Sequence, residues 1–210
     1  LGFVTKIVLK LIPLPKYDLL MLVPFVSLEK ASEAVSAIFR AGFTPSGLEL
    51  VEIDALKIVS KMLDSVAVPV TDDMAAHLII EVDGNDLDAL FKDCEKITEV
   101  MNDFGAEDVL FADTAQQKAE LWKMRRATGE AVKSHSIYKE EDTVVPRAEL
   151  PELLKGVKEI GTKYGFRSVC YGHAGDGNLH VNIIKEEMSN EDWNTKVPLG
   201  IREIFQLTVK

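Results

Sequence analysis

The sequence predicts an α+β fold: a mostly antiparallel sheet with helices packed on one face and ferredoxin-like elements. Three observations carry that expectation. Short apolar strand segments alternate with helices of clear 3.6-residue periodicity. Two strand segments late in the chain flank a glycine-rich turn short enough to make a hairpin. Finally, 210 residues at 47% hydrophobic content can bury a substantial core.

Phe3-Val4-Thr5-Lys6-Ile7-Val8-Leu9 reads as an opening strand, and Leu11-Ile12-Pro13-Leu14-Pro15 as an extended connector, because two prolines disfavour helix. Residues 1–15 are thus set apart as a terminal strand and connector, and 16–210 as the main domain. Leu19 to Val26 forms a buried strand. A helix then starts at the N-cap Ser27, carries Leu28, Ala31, Val35, Ile38 and Phe39 on one face, and stops at Gly42. Residues 51 to 64 suggest a second helix, and His77 to Val82 a strand ended by Asp83-Gly84. Leu87, Leu90, Phe91, Cys94, Ile97 and Met101 mark one face of a helix closed by Gly105.

A short strand follows at Val109 to Phe111, and a long helix carrying Trp122 and Arg125 lies between Thr114 and Ser134. Tyr138 to Val145 is a strand ended by Pro146. Pro151 opens, and Gly165 closes, an amphipathic helix. Asn190 to Val209 is mostly helical with a break near Pro198. A strand at the first residues and a helical pattern still running at Lys210 suggest a domain truncated at its C-terminal end.

Lys and Arg number 24 against 34 Asp and Glu, and a net charge of −10 disfavours nucleic acid and anionic membranes as partners. An anionic substrate therefore needs a local cationic pocket. Cys94 and Cys170 lack the spacing of a disulfide framework or a zinc ribbon, and fit buried free thiols in a reducing compartment. The longest apolar run, interrupted by Pro24, is too short to span a bilayer, and no signal peptide opens the sequence. A cytoplasmic protein, or one peripheral at the inner face of the membrane, is expected.

The densest cluster of chemistry-bearing residues is Tyr171-Gly172-His173-Ala174-Gly175-Asp176-Gly177-Asn178-Leu179-His180-Val181-Asn182. Period-two alternation puts Val169, Tyr171 and His173 on one face before the turn, and His180, Asn182 and Ile184 on one face after it. Converging imidazoles suit zinc, manganese or a similar divalent ion, although two ligands leave its coordination shell open. The plain alternative is that both histidines are polar hairpin residues satisfied by the backbone. The glycines do not make a dinucleotide loop, since a strand rather than a helix follows them.

Arg125 lies one turn after Trp122 and offers a planar fork for a carboxylate. Arg126 points about one hundred degrees away. Lys139 offers a second positive charge. Glu140, Glu141 and Asp142 read as a solvated turn, with Asp142 able to orient a neighbour. His77 and His135 are isolated, and no chemistry is assigned to them.

Together these segments resemble the C-terminal domain of the FAD-linked oxidases that act on 2-hydroxy acids, the group including D-lactate dehydrogenase, glycolate oxidase and D-2-hydroxyglutarate dehydrogenase. The resemblance rests on Leu1-Gly2-Phe3-Val4-Thr5 with Leu9-Lys10-Leu11-Ile12-Pro13, on Trp122-Lys123-Met124-Arg125, on Glu141-Asp142 with Val145-Pro146, and above all on Gly172 to His180. It implies that His173 and His180 bind a divalent metal beside the flavin, that Arg125, Lys139 and Asn182 bind substrate, and that Gly2 lies against the cofactor. It further implies that residues 1–15 end a flavin-binding domain of the same protein, with FAD held mainly by that domain.

In such enzymes a base takes the hydroxyl proton while hydride passes to the flavin and then to an electron acceptor, which the resemblance does not identify. The third metal ligand and the base, a Glu followed by a His, are expected beyond Lys210, so the fragment by itself should not turn over. Relatives acting on 2-hydroxyglutarate carry a hydroxyl residue where this chain has Gly129. That departure argues against the dicarboxylate while Lys139 keeps it open, and D-lactate or glycolate is the first choice. The alternative is a non-catalytic α+β metal-binding or protein-interaction module.

Overall fold

A computed structural model describes residues 2–63 and 68–209. Among these residues, seven strands form one sheet in the order β4-β1-β3-β2-β6-β7-β5. The strands are β1 (Tyr17–Phe25), β2 (Gly47–Glu52), β3 (Ala76–Gly84), β4 (Leu110–Phe111), β5 (Tyr138–Val144), β6 (Arg167–Gly172) and β7 (Asn178–Ile184). Every neighbouring pair is antiparallel. The helices are α1 (Leu28–Arg40), α2 (Ile53–Met62), α3 (Leu87–Asp103), α4 (Ala115–His135), α5 (Leu150–Tyr164), α6 (Asn190–Thr195) and α7 (Val197–Thr208). The first four strands with α1 and α3 form a split βαβ arrangement, and β6, β7 and β5 extend its β2 edge.

Local chemistry sets most boundaries. The Ser27 hydroxyl accepts the Lys30 amide at 3.2 Å and starts α1. Thr114 and Gln117 cap α4 reciprocally. Gly165, with φ of 76°, ends α5 in the left-handed conformation. The break expected near Pro198 falls at Lys196, with the proline in the first turn of α7, where its missing N–H costs nothing.

The larger helical layer lies on one face. Residues of α1, α3, α5, α6 and α7 pack there with Met21, Val23, Leu50, Leu78, Ile80 and Cys170. The strands are apolar on their second face too: Leu20, Leu22, Val51, Ile79 and Val169 all point there, and α2 and α4 cover them. That second, partly covered face carries the site. No helix among the described residues is long and apolar enough to cross a membrane. Cys94 and Cys170 are buried and unbridged, and burial pushes their thiols up to about 11 and about 12.

Two expectations need correction. No strand forms over residues 3–9, where Phe3, Val4, Ile7, Val8 and Leu9 are exposed. A strand needs a neighbour to accept its backbone hydrogen bonds, and the chain first joins the sheet through the Lys16 amide donating to the Gly84 carbonyl. Conversely, Gly47–Glu52 forms β2, a strand absent from the sequence expectation, and α2 starts at Ile53 rather than 51. The proposed end of that helix, residue 64, lies outside the described residues.

Candidate functional site

Strands β2, β6, β7 and β5 lie side by side, so residues of equal parity on each reach the same face. From β2 comes Glu49, from β6 Tyr171 with His173 just beyond it, from β7 His180 and Asn182, and from β5 Glu140 and Asp142. Helix α4 crosses this face and contributes Arg125 and, two turns later, Lys133.

Glu49 is the hub. Its Oε2 accepts from Nε of Arg125 at 2.8 Å and pairs with Nη2 at 2.7 Å, while its Oε1 lies 2.6 Å from Nδ1 of His173. Glu49 and Arg125 are both buried, so each needs the other's charge. The Arg125 guanidinium also sits 5.2 Å from the centre of the Tyr171 ring. Tyr171 in turn lies 5.4 Å from the His180 ring, and the His173 and His180 rings are 6.2 Å apart, edge to face. Burial pushes the Tyr171 phenol up, and the nearby Glu140 carboxylate adds to the effect.

The hairpin turn holds the imidazoles in this relation. Residues Ala174–Asp176 form a short 3-10 turn, and Gly177 has φ of 73°. A side chain at Gly177 would collide with the Val145 carbonyl, so glycine is required twice over. Asp142 accepts from Nδ2 of Asn178 at 2.7 Å, which ties the turn to β5 and gives Asp142 the orienting role its position suggested.

His173, His180 and Asn182 therefore share one face, as the alternation predicts, and Arg125 reaches that face from α4. The remaining residues do not join them. Lys139 is on the opposite side of β5, with its ammonium 6.0 Å from the Trp193 ring. The physical reason is strand parity: Lys139 pairs with the core residue Ile183, whereas Glu140 pairs with Asn182. Gly2 lies in the exposed leading segment, with no atom within 4 Å of where a Cβ would stand.

Glu49 and Glu140 are the residues that sequence reasoning missed. An acid interrupting Leu48, Leu50 and Val51 was the available signal for Glu49, but it carries weight only once residues 47–52 are known to be a strand. Glu140 belongs to β5 rather than to a solvated turn, and its Oε2 pairs with Nζ of Lys133 at 2.8 Å.

Beside the imidazoles and Arg125, two polar side chains have unsatisfied atoms. The side-chain amide of Asn182 is fully buried, and neither its nitrogen nor its oxygen has a hydrogen-bond partner. Nδ1 of His180 is buried without a hydrogen bond, 3.4 Å from Oε1 of Glu140 and 3.6 Å from Oδ1 of Asp142.

The donor chemistry fits two of the ligands a divalent metal requires. Glu49 engages one nitrogen of His173 and leaves the other to a ligand, the carboxylate–histidine relay that orients metal-binding imidazoles. Among the described residues no three His, Cys, Asp or Glu side chains are grouped as a metal site, so any further ligand must come from elsewhere. The His173 side chain is half exposed. A larger hollow between α5 and β2 is lined by Glu52, Lys158, Asp54 and Arg167, whose charges are already paired with one another.

Residues 14–210 match the family of FAD linked oxidases, C-terminal domain. The chain belongs to this family. D-lactate dehydrogenase of Anaerostipes hadrus is 31% identical over 209 residues, covering 98% of this chain and 44% of that protein. Glycolate oxidase subunit GlcD of Escherichia coli K12 is 33% identical over 211 residues, covering 100% of this chain and 41% of the relative. The chain thus spans less than half the length of these relatives. Among solved structures, p-cresol methylhydroxylase with substrate bound superposes with a TM-score of 0.64 at 11% identity, covering 92% of this chain and 43% of that one. Alkyldihydroxyacetonephosphate synthase gives 0.61 at 10% identity, covering 92% and 40%. At such identities the likeness shows the fold of this FAD-linked oxidase domain.

Proposed function

We propose that this FAD-linked oxidase domain is the substrate-binding part of a flavin-dependent dehydrogenase or oxidase that converts a 2-hydroxy acid, D-lactate or glycolate by preference, to the 2-oxo acid. The observation that carries the reading is Arg125, held by Glu49 over Tyr171 beside two imidazoles and an unsatisfied buried amide. In this reading residues 1–15 end the flavin-binding domain of the same protein.

Arg125 fixes the substrate carboxylate. Glu49 engages Nε and Nη2, and a guanidinium has five N–H donors, so others remain for a ligand. Glu49 also prevents the fork from rotating, so binding costs little side-chain entropy. Asn182, with both donor and acceptor unused, orients the 2-hydroxyl or the carboxylate from beneath. His173 and His180 would hold a divalent ion, zinc or manganese. When bound, such an ion stabilises negative charge on a substrate oxygen, and the flavin accepts hydride. The Tyr171 ring packs against Arg125 and His180 and excludes water from that side.

The test is a 2-hydroxy acid screen on the full-length, flavin-loaded protein with a dye as acceptor. Oxidation of D-lactate or glycolate is expected, and oxidation of no 2-hydroxy acid would refute the proposal. The metal is tested separately. Replacing His173 and His180 together by Ala should abolish zinc and manganese uptake measured by elemental analysis, and undiminished uptake would remove the ion from the reading.

A further inference from the structure

Arg125 sits at one end of a row of side chains that continues through Tyr171 and His180 to Glu140 and Lys133. Along α4, Arg125 and Lys133 are eight residues apart, or about 12 Å at 1.5 Å per residue. A 2-hydroxy acid anchored on Arg125 and lying along this row would extend the rest of its carbon chain toward Glu140. For lactate or glycolate the chain ends at once. A five-carbon dicarboxylate places its second carboxylate roughly 5 Å farther along, by the length of its C–C bonds, and reaches the ground held by Glu140.

That end of the row is acidic. Oε2 of Glu140 lies 2.8 Å from Nζ of Lys133, and its Oε1 lies 3.4 Å from Nδ1 of His180, with Oδ1 of Asp142 at 3.6 Å from the same nitrogen. Lys133 is the cation nearest this end, and Glu140 already matches its charge. Lys139, which sequence reading offered as a second positive charge, is on the far side of the sheet over Trp193. A second substrate carboxylate would face Glu140 and Asp142, or would have to take Lys133 from Glu140. Like charges juxtaposed in a partly desolvated site reject a ligand more effectively than a missing contact does.

We infer that Glu140 is a specificity-determining residue: by occupying Lys133 at the far end of the site, its carboxylate excludes 2-hydroxy and 2-oxo dicarboxylates and reserves the site for short monocarboxylates. The inference rests on the function proposed above and deepens it.

The experiment uses the full-length, flavin-loaded protein and two readouts: calorimetric binding of pyruvate and 2-oxoglutarate, and oxidation of D-lactate and D-2-hydroxyglutarate. In the wild type 2-oxoglutarate should bind at least tenfold more weakly than pyruvate. Glu140→Gln should shrink that gap by at least tenfold and shift the ratio of kcat/KM values toward the dicarboxylate by a similar factor. Adding Lys133→Met should restore the gap, because the freed ammonium is what the dicarboxylate gains. A purely structural role for Glu140 would change both ligands alike.

Equal binding of the two oxo acids by the wild type overturns the inference, as does a gap unchanged in Glu140→Gln while D-lactate is still oxidised. In both cases the functional reading survives. If the wild type binds neither oxo acid and oxidises no 2-hydroxy acid, glycolate included, the functional reading itself has failed and this inference falls with it.

Discussion

Glu49 shows how one buried acid organises the site. It neutralises Arg125 through Nε and Nη2 and engages one nitrogen of the His173 imidazole. Breaking a buried ion pair from one side strands the other charge, so Glu49→Gln should cost about 3 kcal/mol in urea denaturation. Arg125→Lys keeps the charge but loses the planar fork. In the full-length enzyme it should raise KM for the 2-hydroxy acid by about tenfold or more while changing stability by less than about 1 kcal/mol, a contrast that steady-state kinetics and denaturation together can check. An unchanged KM would remove Arg125 from substrate binding. Arg125 could be singled out in the sequence only through the resemblance carried by Trp122-Lys123-Met124-Arg125, since its spacing from Trp122 is common by chance. Its partner could not, because a Glu near residue 49 gains meaning only when β2 lies next to β6.

At the scale of elements, the hairpin β6-β7 was legible because its glycines and alternating strands obey local rules. The left-handed φ of Gly177 and the Val145 carbonyl against it explain why the turn is written with glycine. Gly177→Ala should destabilise the domain by at least about 2 kcal/mol, the combined cost of a strained backbone and a displaced carbonyl, seen as a lowered midpoint in denaturant. A silent substitution would show that the turn has another conformation. Strand β2 escaped notice for the opposite reason. Its six residues carry one acid toward each face of a strand buried on both sides, Glu49 toward α4 and Glu52 toward α5, and both acids are satisfied only at a distance in sequence: Glu49 by Arg125, and Glu52 by Lys158 and the Cys170 amide.

For the molecule as a whole, His77 makes stability sensitive to acid. Its ring is fully buried in the interior strand β3, without a hydrogen bond to either nitrogen, and burial lowers its pKa from 6.5 to about 4. The unfolded chain takes up a proton as pH falls below about 6.5, whereas the folded chain does not until about 4. Stability from this residue is therefore complete above the unfolded value and is lost as pH falls across that window, a loss on the order of 3 kcal/mol. His77→Leu should flatten the corresponding part of the stability profile between pH 7 and 4, measured by urea denaturation at each pH. An unaltered slope would mean that His77 is not the responsible group.

The sequence by itself determined the α+β class, most helix boundaries, the hairpin and the shared face of His173, His180 and Asn182, because capping, glycine geometry and residue periodicity act over a few positions. Only the tertiary structure decided that Glu49 joins Arg125 to His173, that Lys139 faces away while Glu140 faces in, and that α2 and α4 cover the second face. Those outcomes depend on which strands become neighbours, and strand order is set by packing across the whole sheet rather than by any local stretch of chain.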